Sequence, residues 1–225
     1  MKHAMALTLV LAVVTAGAVW AQDNVLTEEE QAQGWQLLFN GVDYEGWTNV
    51  NEHWVIEDGC MATVAGGGGD VITEARYGDF ILSADFMVTE GANSGIFFRI
   101  DDPGNVVYTG IEVQVLDSAG VESPGVHHCG AVYEIQAPSV NMARPVGEWQ
   151  NMTILAQDDL LTVTHNGVPV VVLDLDEWTE AHQNPDGTAN KFPIAYAEMA
   201  REGHIALQHH GQRVLYKNVK ILPLD

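Results

Sequence analysis

LLTVTHNGVPVVVLD, residues 160–174, is the stretch on which the fold turns. Two runs rich in β-branched residues flank Asn166-Gly167, a dipeptide whose residues both accept positive φ, so the segment reads as a hairpin closed by a type I′ turn. Outward from it the same pattern recurs. HWVIEDGCMATV (53–64), DFILSADFMVT (79–89), SGIFFRID (94–101), IEVQVLD (111–117), AVYEIQ (131–136), WQNMTILAQ (149–157), HIALQHH (204–210) and VLYKNVKILPL (214–224) are short alternating runs divided by Gly, Asn and Asp. Each is strand material. Helical period is nearly absent; the acidic LTEEEQAQGW (26–35) supports one turn capped by Thr27. Many short strands with no helices between them predict an all-β protein, a two-sheet sandwich or jelly roll.

The chain of 225 residues opens with one Lys, an apolar run from Ala4 to Trp20, then Val19-Trp20-Ala21 before Gln22. That is the layout of a secretory signal peptide over 1–21, which predicts an exported protein, periplasmic or extracellular. No later segment approaches the roughly 18 consecutive apolar residues of a membrane span. No repeat or composition break divides the remainder, so 22–225 is read as one domain. The formal charge of −22, from 31 acidic and 9 basic residues, excludes nucleic acid and anionic membrane surfaces as natural partners. Cys60 and Cys129 can form one disulfide in an oxidising compartment, but sequence does not set their separation, and both states stay open.

Two segments lack any period. Asp174 to Arg201 is too long for a plain connection in a compact domain, which marks it as functional or disordered. AGGGGD (65–70) lacks the G-K-S/T of a phosphate cradle and reads as a flexible turn or a lid beside a cleft.

Parity sorts the strands into two faces, because side chains two apart share one. Ile96, Phe98 and Ile100 on one face leave Gly95, Phe97 and Arg99 on the other. Ile111, Val113 and Val115 likewise leave Glu112 and Gln114, and Ile205 and Leu207 leave Ala206, Gln208 and His210. If these strands are neighbours, an Arg, a carboxylate and an imidazole converge, which is the equipment of charge stabilisation and acid–base chemistry. If they are not, these are three ordinary solvated faces. His127-His128 and His209-His210, with Asp117 or Glu112, also offer ligands for a divalent metal ion, although adjacent strand residues point apart and at most one His of each pair joins a given site. Trp35, Trp47, Trp54, Trp149, Tyr108 and Tyr133 are sugar-stacking surfaces or core packing.

In order along the chain, WQLLFNGVDYEGW (35–47), WVIEDGCM (54–61), VITEARYGDFILSADF (71–86), GANSGIFFRI (91–100), YTGIEVQVLD (108–117), GAVYEIQAP (130–138), GEWQNMTI (147–154), the HNGVPV hairpin, GHIALQHHG (203–211) and VLYKNVKILPL resemble the 3-keto-disaccharide hydrolase family, formerly a domain of unknown function. The resemblance implies a concanavalin A-like jelly roll whose concave sheet carries the site. It also implies a carbohydrate substrate, a glycoside already oxidised to a ketone at C3. Such a ketone acidifies the C2 proton, so the implied chemistry is proton abstraction, elimination at C1 and addition of water. On this resemblance Glu112 and His210 form the acid–base pair and Arg99 stabilises the enolate unless a divalent ion does so. Asn93, Gln114 and Gln208 orient sugar hydroxyls and Asp117 binds metal or holds His210, while Tyr133 and Trp149, from the aromatic set above, are the rings expected to bind the sugar. Family members read leucine, glutamine, aspartate, histidine, glycine where this chain has Leu207, Gln208, His209, His210 and Gly211, which puts the surroundings of His210 in question. The rivals are a non-catalytic lectin-like module and a laminarinase-type glucanase, the latter needing an E-x-D-x-x-E run that TGIEVQVLD (109–117) lacks.

Overall fold

The computed structural model describes residues 22–224, so the expected signal peptide lies outside the described residues. Helix α1 (Glu28–Gln33) begins where expected: the Thr27 side chain accepts from Glu30 N–H while the Glu30 carboxylate accepts from Thr27 N–H, a reciprocal cap worth about 1 kcal/mol. The strands follow as β1 (Gln36–Leu37), β2 (Trp47–Thr48), β3 (Trp54–Glu57), β4 (Cys60–Thr63), β5 (Val71–Thr73), β6 (Phe80–Val88), β7 (Asn93–Ile100), β8 (Ile111–Leu116), β9 (Gln150–Gln157), β10 (Leu160–His165), β11 (Val168–Asp174), β12 (His204–Leu207) and β13 (Val214–Pro223). A short α2 (Val106–Thr109) precedes β8.

They form two antiparallel sheets. The larger runs β11-β10-β9-β6-β13-β4-β3 with β1 beside β13; the smaller runs β2-β5-β12-β7-β8. The chain changes sheet between β1 and β2, β2 and β3, β4 and β5, β5 and β6, β6 and β7, β8 and β9, β11 and β12, and β12 and β13. This is the two-sheet sandwich expected. Asn166 and Gly167 carry φ of 50° and 79°, as the type I′ hairpin between β10 and β11 requires.

Alternation packs one face of each sheet into the space between them: Phe80, Leu82, Phe86, Ile154 and Tyr216 from the larger, Ile96, Phe98, Val113 and Leu207 from the smaller. Phe80 meets Phe98 edge-on across the layers at 5.9 Å, and the Tyr216 and Ser94 hydroxyls hydrogen-bond across them at 2.6 Å. Cys129 lies in this core, whereas Cys60 packs with Ala62 and Leu215 on the far side of the larger sheet. Both thiols are free.

Two segments depart from the alternating pattern. AVYEIQ is not a strand. It turns beside β8, touching it through the Val113–Val132 bridge. In β7 the register against β12 slips between Phe97 and Ile100, and Arg99 takes φ of 52°. That bulge reverses the parity beyond it, so Ile100 packs with Phe97, Ile72, Ala206 and Val106 rather than with the main core.

Candidate functional site

The outer face of the smaller sheet forms a floor. In register, Glu112 stands opposite Phe97 and Gln114 opposite Gly95, with Ala206 opposite Phe97 and Ile72 opposite Ala206. Residues opposite one another share a face, so the parity reading of Glu112 and Gln114 is correct. The floor has a gap at Gly95, and the Glu112 side chain fills it: a Cβ there would meet Oε1 at 2.4 Å. Gln114 is 2% exposed, donates through Nε2 to Asn93 Oδ1 at 2.8 Å, and keeps a buried Oε1 with no partner among the described residues. Gln208 N–H donates to the Gly95 carbonyl at 3.0 Å, which sets Gln208 at the same row.

Glu112 is 7% exposed. Burial pushes its carboxyl up to about 8; the charges of Asp70 and Glu134 push the same way and Lys191 opposes them. A buried carboxyl without a tethering partner costs stability, and a raised carboxyl of this kind is a candidate for proton transfer near neutral pH. Asp70, at the end of the glycine run, is also raised, mainly by burial, with His210 acting in the opposite sense. Asp70 therefore links electrostatically to Glu112 on one side and to His210, exposed beyond the end of β12, on the other.

The floor has three borders. AGGGGD is a pinned rim rather than a loose turn: Gly66 N–H donates to the Gly211 carbonyl, Asn51 to that of Gly68, and Trp54 Nε1 to that of Gly69. The segment after His128 seals the free edge of β8, with Gly130 N–H donating to Gln114, Gln114 N–H to Ala131 and Tyr133 N–H to Glu112. The long irregular segment docks against it. Asn184 donates to the Glu134 carbonyl at 3.5 Å, Lys191 N–H donates to the Glu134 carboxylate at 3.0 Å, and the Lys191 ammonium lies 4.2 Å from the centre of the Tyr133 ring. His127 stacks on the same ring at 4.8 Å.

Several expected members are not brought here. Arg99 is turned inward by its bulge, 1% exposed, and donates to the Gly78 carbonyl, the Asp158 carbonyl and Asp79 Oδ1 at 3.3, 2.7 and 3.0 Å. It clamps β7 to two turns of the other sheet and cannot face an enolate over Glu112. Trp149 packs on the outer face of the larger sheet with Met87 and Leu215, under the Lys217 ammonium. Asp117 Oδ2 accepts from Gly91 N–H at 3.0 Å, holding the turn before β7. Among the described residues no three His, Cys, Asp or Glu converge as metal ligands, so the donors proposed from sequence do not form a set, and no step is derived through a metal. Trp47 and Trp54 are buried and Trp35 lies beneath Lys220. Of these aromatic rings, Tyr133 is the one at the floor beside Glu112 and Lys191.

Conversely, sequence reading missed Asp70, Glu134 and Lys191. Their signal was placement: each sits in or beside a segment without period, and Lys191 is one of few cations in an acidic chain. His209 is buried between His53 and Trp54 at 5.9 and 6.2 Å, with neither ring nitrogen hydrogen-bonded among the described residues. Burial, then the neighbouring His53 and His210, lower its pKa against a pull from the Val64 backbone. Two clefts elsewhere lack this chemistry. One of about 220 Å³ is walled by exposed Glu177 and Glu180, and one of about 460 Å³ by Arg76, which Asp101 and Glu202 already engage.

Residues 34–222 match the family described as the 3-keto-alpha-glucoside-1,2-lyase-like domain. A 3-keto-disaccharide hydrolase of Bacteroides thetaiotaomicron is 28% identical over 231 residues, covering 86% of this chain and 80% of that protein. Two crystal structures of Parabacteroides distasonis proteins assigned as glycosyl hydrolases superpose with TM-scores of 0.77 and 0.76. Their identities are 29% and 30%, and they cover 84% and 91% of this chain and 99% and 100% of theirs.

Proposed function

The chain belongs to the 3-keto-alpha-glucoside-1,2-lyase-like domain family, and from that premise we propose that it is an exported enzyme cleaving 3-keto-glycosides. The observation that supports this most is the Glu112 carboxyl: buried, untethered and pushed up to about 8 on the outer face of the smaller sheet, beside the Gln114 row. In the proposed reaction a base removes the C2 proton and the electron pair moves to the C3 oxygen as an enolate. The enolate then reforms the ketone and expels the C1 substituent, whose oxygen takes a proton from an acid. Water adds at C1 of the resulting enone and a proton returns to C2, so the net change is hydrolysis.

Glu112 and His210 supply the acid and the base, joined through the field of Asp70. The Gln114 Oε1, buried and without a donor, accepts a sugar hydroxyl, and Asn93 and Gln208 border the same space. Arg99 is excluded by its position. A binding module would instead rely on open aromatic platforms, whereas the Tyr133 ring is covered by the Lys191 ammonium. A glucanase would pair two carboxylates along one strand, and Asp117 is turned away to Gly91.

The test is incubation of the mature protein with a 3-keto-glycoside and its unoxidised parent, each with and without chelator. Cleavage of the keto substrate alone is expected. Cleavage of the parent alone overturns the ketone chemistry, and binding of both without turnover returns the protein to the lectin-like reading.

A further inference from the structure

Among the described residues, Arg76, Arg99, Arg201, Arg213, Lys217 and Lys220 each form an ion pair with a carboxylate. In a chain with 31 acidic residues that is the ordinary fate of a cation. Two described cations are exceptions: Arg144, whose guanidinium donates to the Trp149 carbonyl at 2.9 Å, and Lys191. Its ammonium lies over two rings, 4.2 Å from the centre of Tyr133 and 5.6 Å from that of Phe192, with no carboxylate partner among the described residues. The nearby carboxylate, Glu134, accepts the Lys191 backbone N–H and stands 3.7 Å from His127, so it anchors the residue without quenching its charge. The backbone is further fixed by a compact network: His182 N–H to Phe192, Asn190 N–H to His182, and Asn190 Nδ2 to Asn184. A face-on ring attracts a cation yet leaves its N–H groups free for a ligand.

We propose that Lys191 is the catalytic cation of this site, its ammonium set against the C3 oxyanion of the 3-keto-glycoside while Glu112 removes the C2 proton. This rests on the function proposed above and fixes what that reading left open. C2 and C3 are bonded, so the group that takes the C2 proton and the group that meets the C3 oxygen must be neighbours. Tyr133 makes Lys191 and Glu112 neighbours: its N–H donates to the Glu112 carbonyl at 3.0 Å and its ring centre lies 4.2 Å from the Lys191 ammonium. The leaving oxygen on C1 lies on the opposite side of C2, which places the acid, His210, across the floor. A preorganised cation at a developing oxyanion is worth more than one that must reorient, because no rearrangement accompanies the charge transfer.

The experiment compares wild type, K191M, K191R and Y133L on one 3-keto-glycoside across pH 5 to 10, with thermal melting as a check on folding. K191M is expected to lower kcat on the order of 100-fold with KM within a few-fold, K191R to recover part of the loss, and Y133L to show a smaller loss. Glu112 lies in the field of Asp70, Glu134 and Lys191, and its own charge reaches the phenols of Tyr133, Tyr196 and, through the sheet, Tyr216. Removing the one cation among them moves the rising limb of kcat/KM to higher pH. A K191M enzyme with unchanged kcat and an unmoved limb overturns the assignment of Lys191 and leaves the function reading intact. A wild-type protein inactive on 3-keto-glycosides overturns both.

Discussion

Glu112 and Arg99 lie on adjacent strands of one sheet, both charged residues removed from water, and the molecule treats them oppositely. Arg99 is given two carbonyls and a carboxylate; Glu112 is given none, only burial and distant charges. Desolvating a charge is costly, and partners offset that cost for Arg99 alone. A buried ion with every donor engaged is a structural tie. A buried acid left without partners is, on the function proposed above, one free to exchange its proton.

The sharpest way to break this contrast is Glu112→Gln, which should lower kcat on a 3-keto-glycoside about 10²- to 10⁴-fold while leaving the melting temperature equal or higher. Loss of stability without loss of rate would show that the two roles are reversed. Next in size, Arg99→Met should cost about 3–5 kcal/mol of stability, because Asp79 and two carbonyls lose their donor, while the fraction that stays folded keeps its kcat. Urea titrations measure both.

A third difference follows from the Glu112 pKa. The folded value is about 8 against an ordinary value of 4.5, so between those limits the folded state holds the proton more tightly than the unfolded chain. Stability must fall as pH rises through that window, at no more than ~1.4 kcal/mol per pH unit, and Asp70, raised for the same reason, adds in the same direction. Urea midpoints at pH 5 and pH 8 should differ less in Glu112→Gln than in wild type; an equal difference would deny that this carboxyl is the source. Smallest is Gly95→Ala. Its methyl would occupy the seat of the Glu112 Oε1, so a cost of about 1–3 kcal/mol and a displaced pH limb are expected.

Legibility in the sequence followed the same physics. Asn166-Gly167 announced a hairpin because few dipeptides accept two positive φ values. Glu112 and Gln114 were legible because β8 runs without interruption, so a period of two carries through to the face. Arg99 was misread through one bulged residue, which no alternation pattern reveals and which reverses everything beyond it. Trp149 failed for another reason: parity separates the inside from the outside of a sheet but does not say which sheet, and Trp149 lies outside the wrong one. Asp70, Glu134 and Lys191 come from aperiodic segments, and only long-range packing brings them together.

The strand that carries Glu112 is the last of its sheet, and an irregular segment rather than another strand closes its edge. Three backbone hydrogen bonds join that segment to β8 at Glu112 and Gln114. Wall and floor are therefore one mechanical piece, and Tyr133 cannot shift without pulling on the strand beneath the acid. Between Asp117 and Cys129, by contrast, the loop lies outside the ladder, where insertions and deletions leave the strand register untouched. Edits to that loop would change the rim of the floor while Glu112 stays in place.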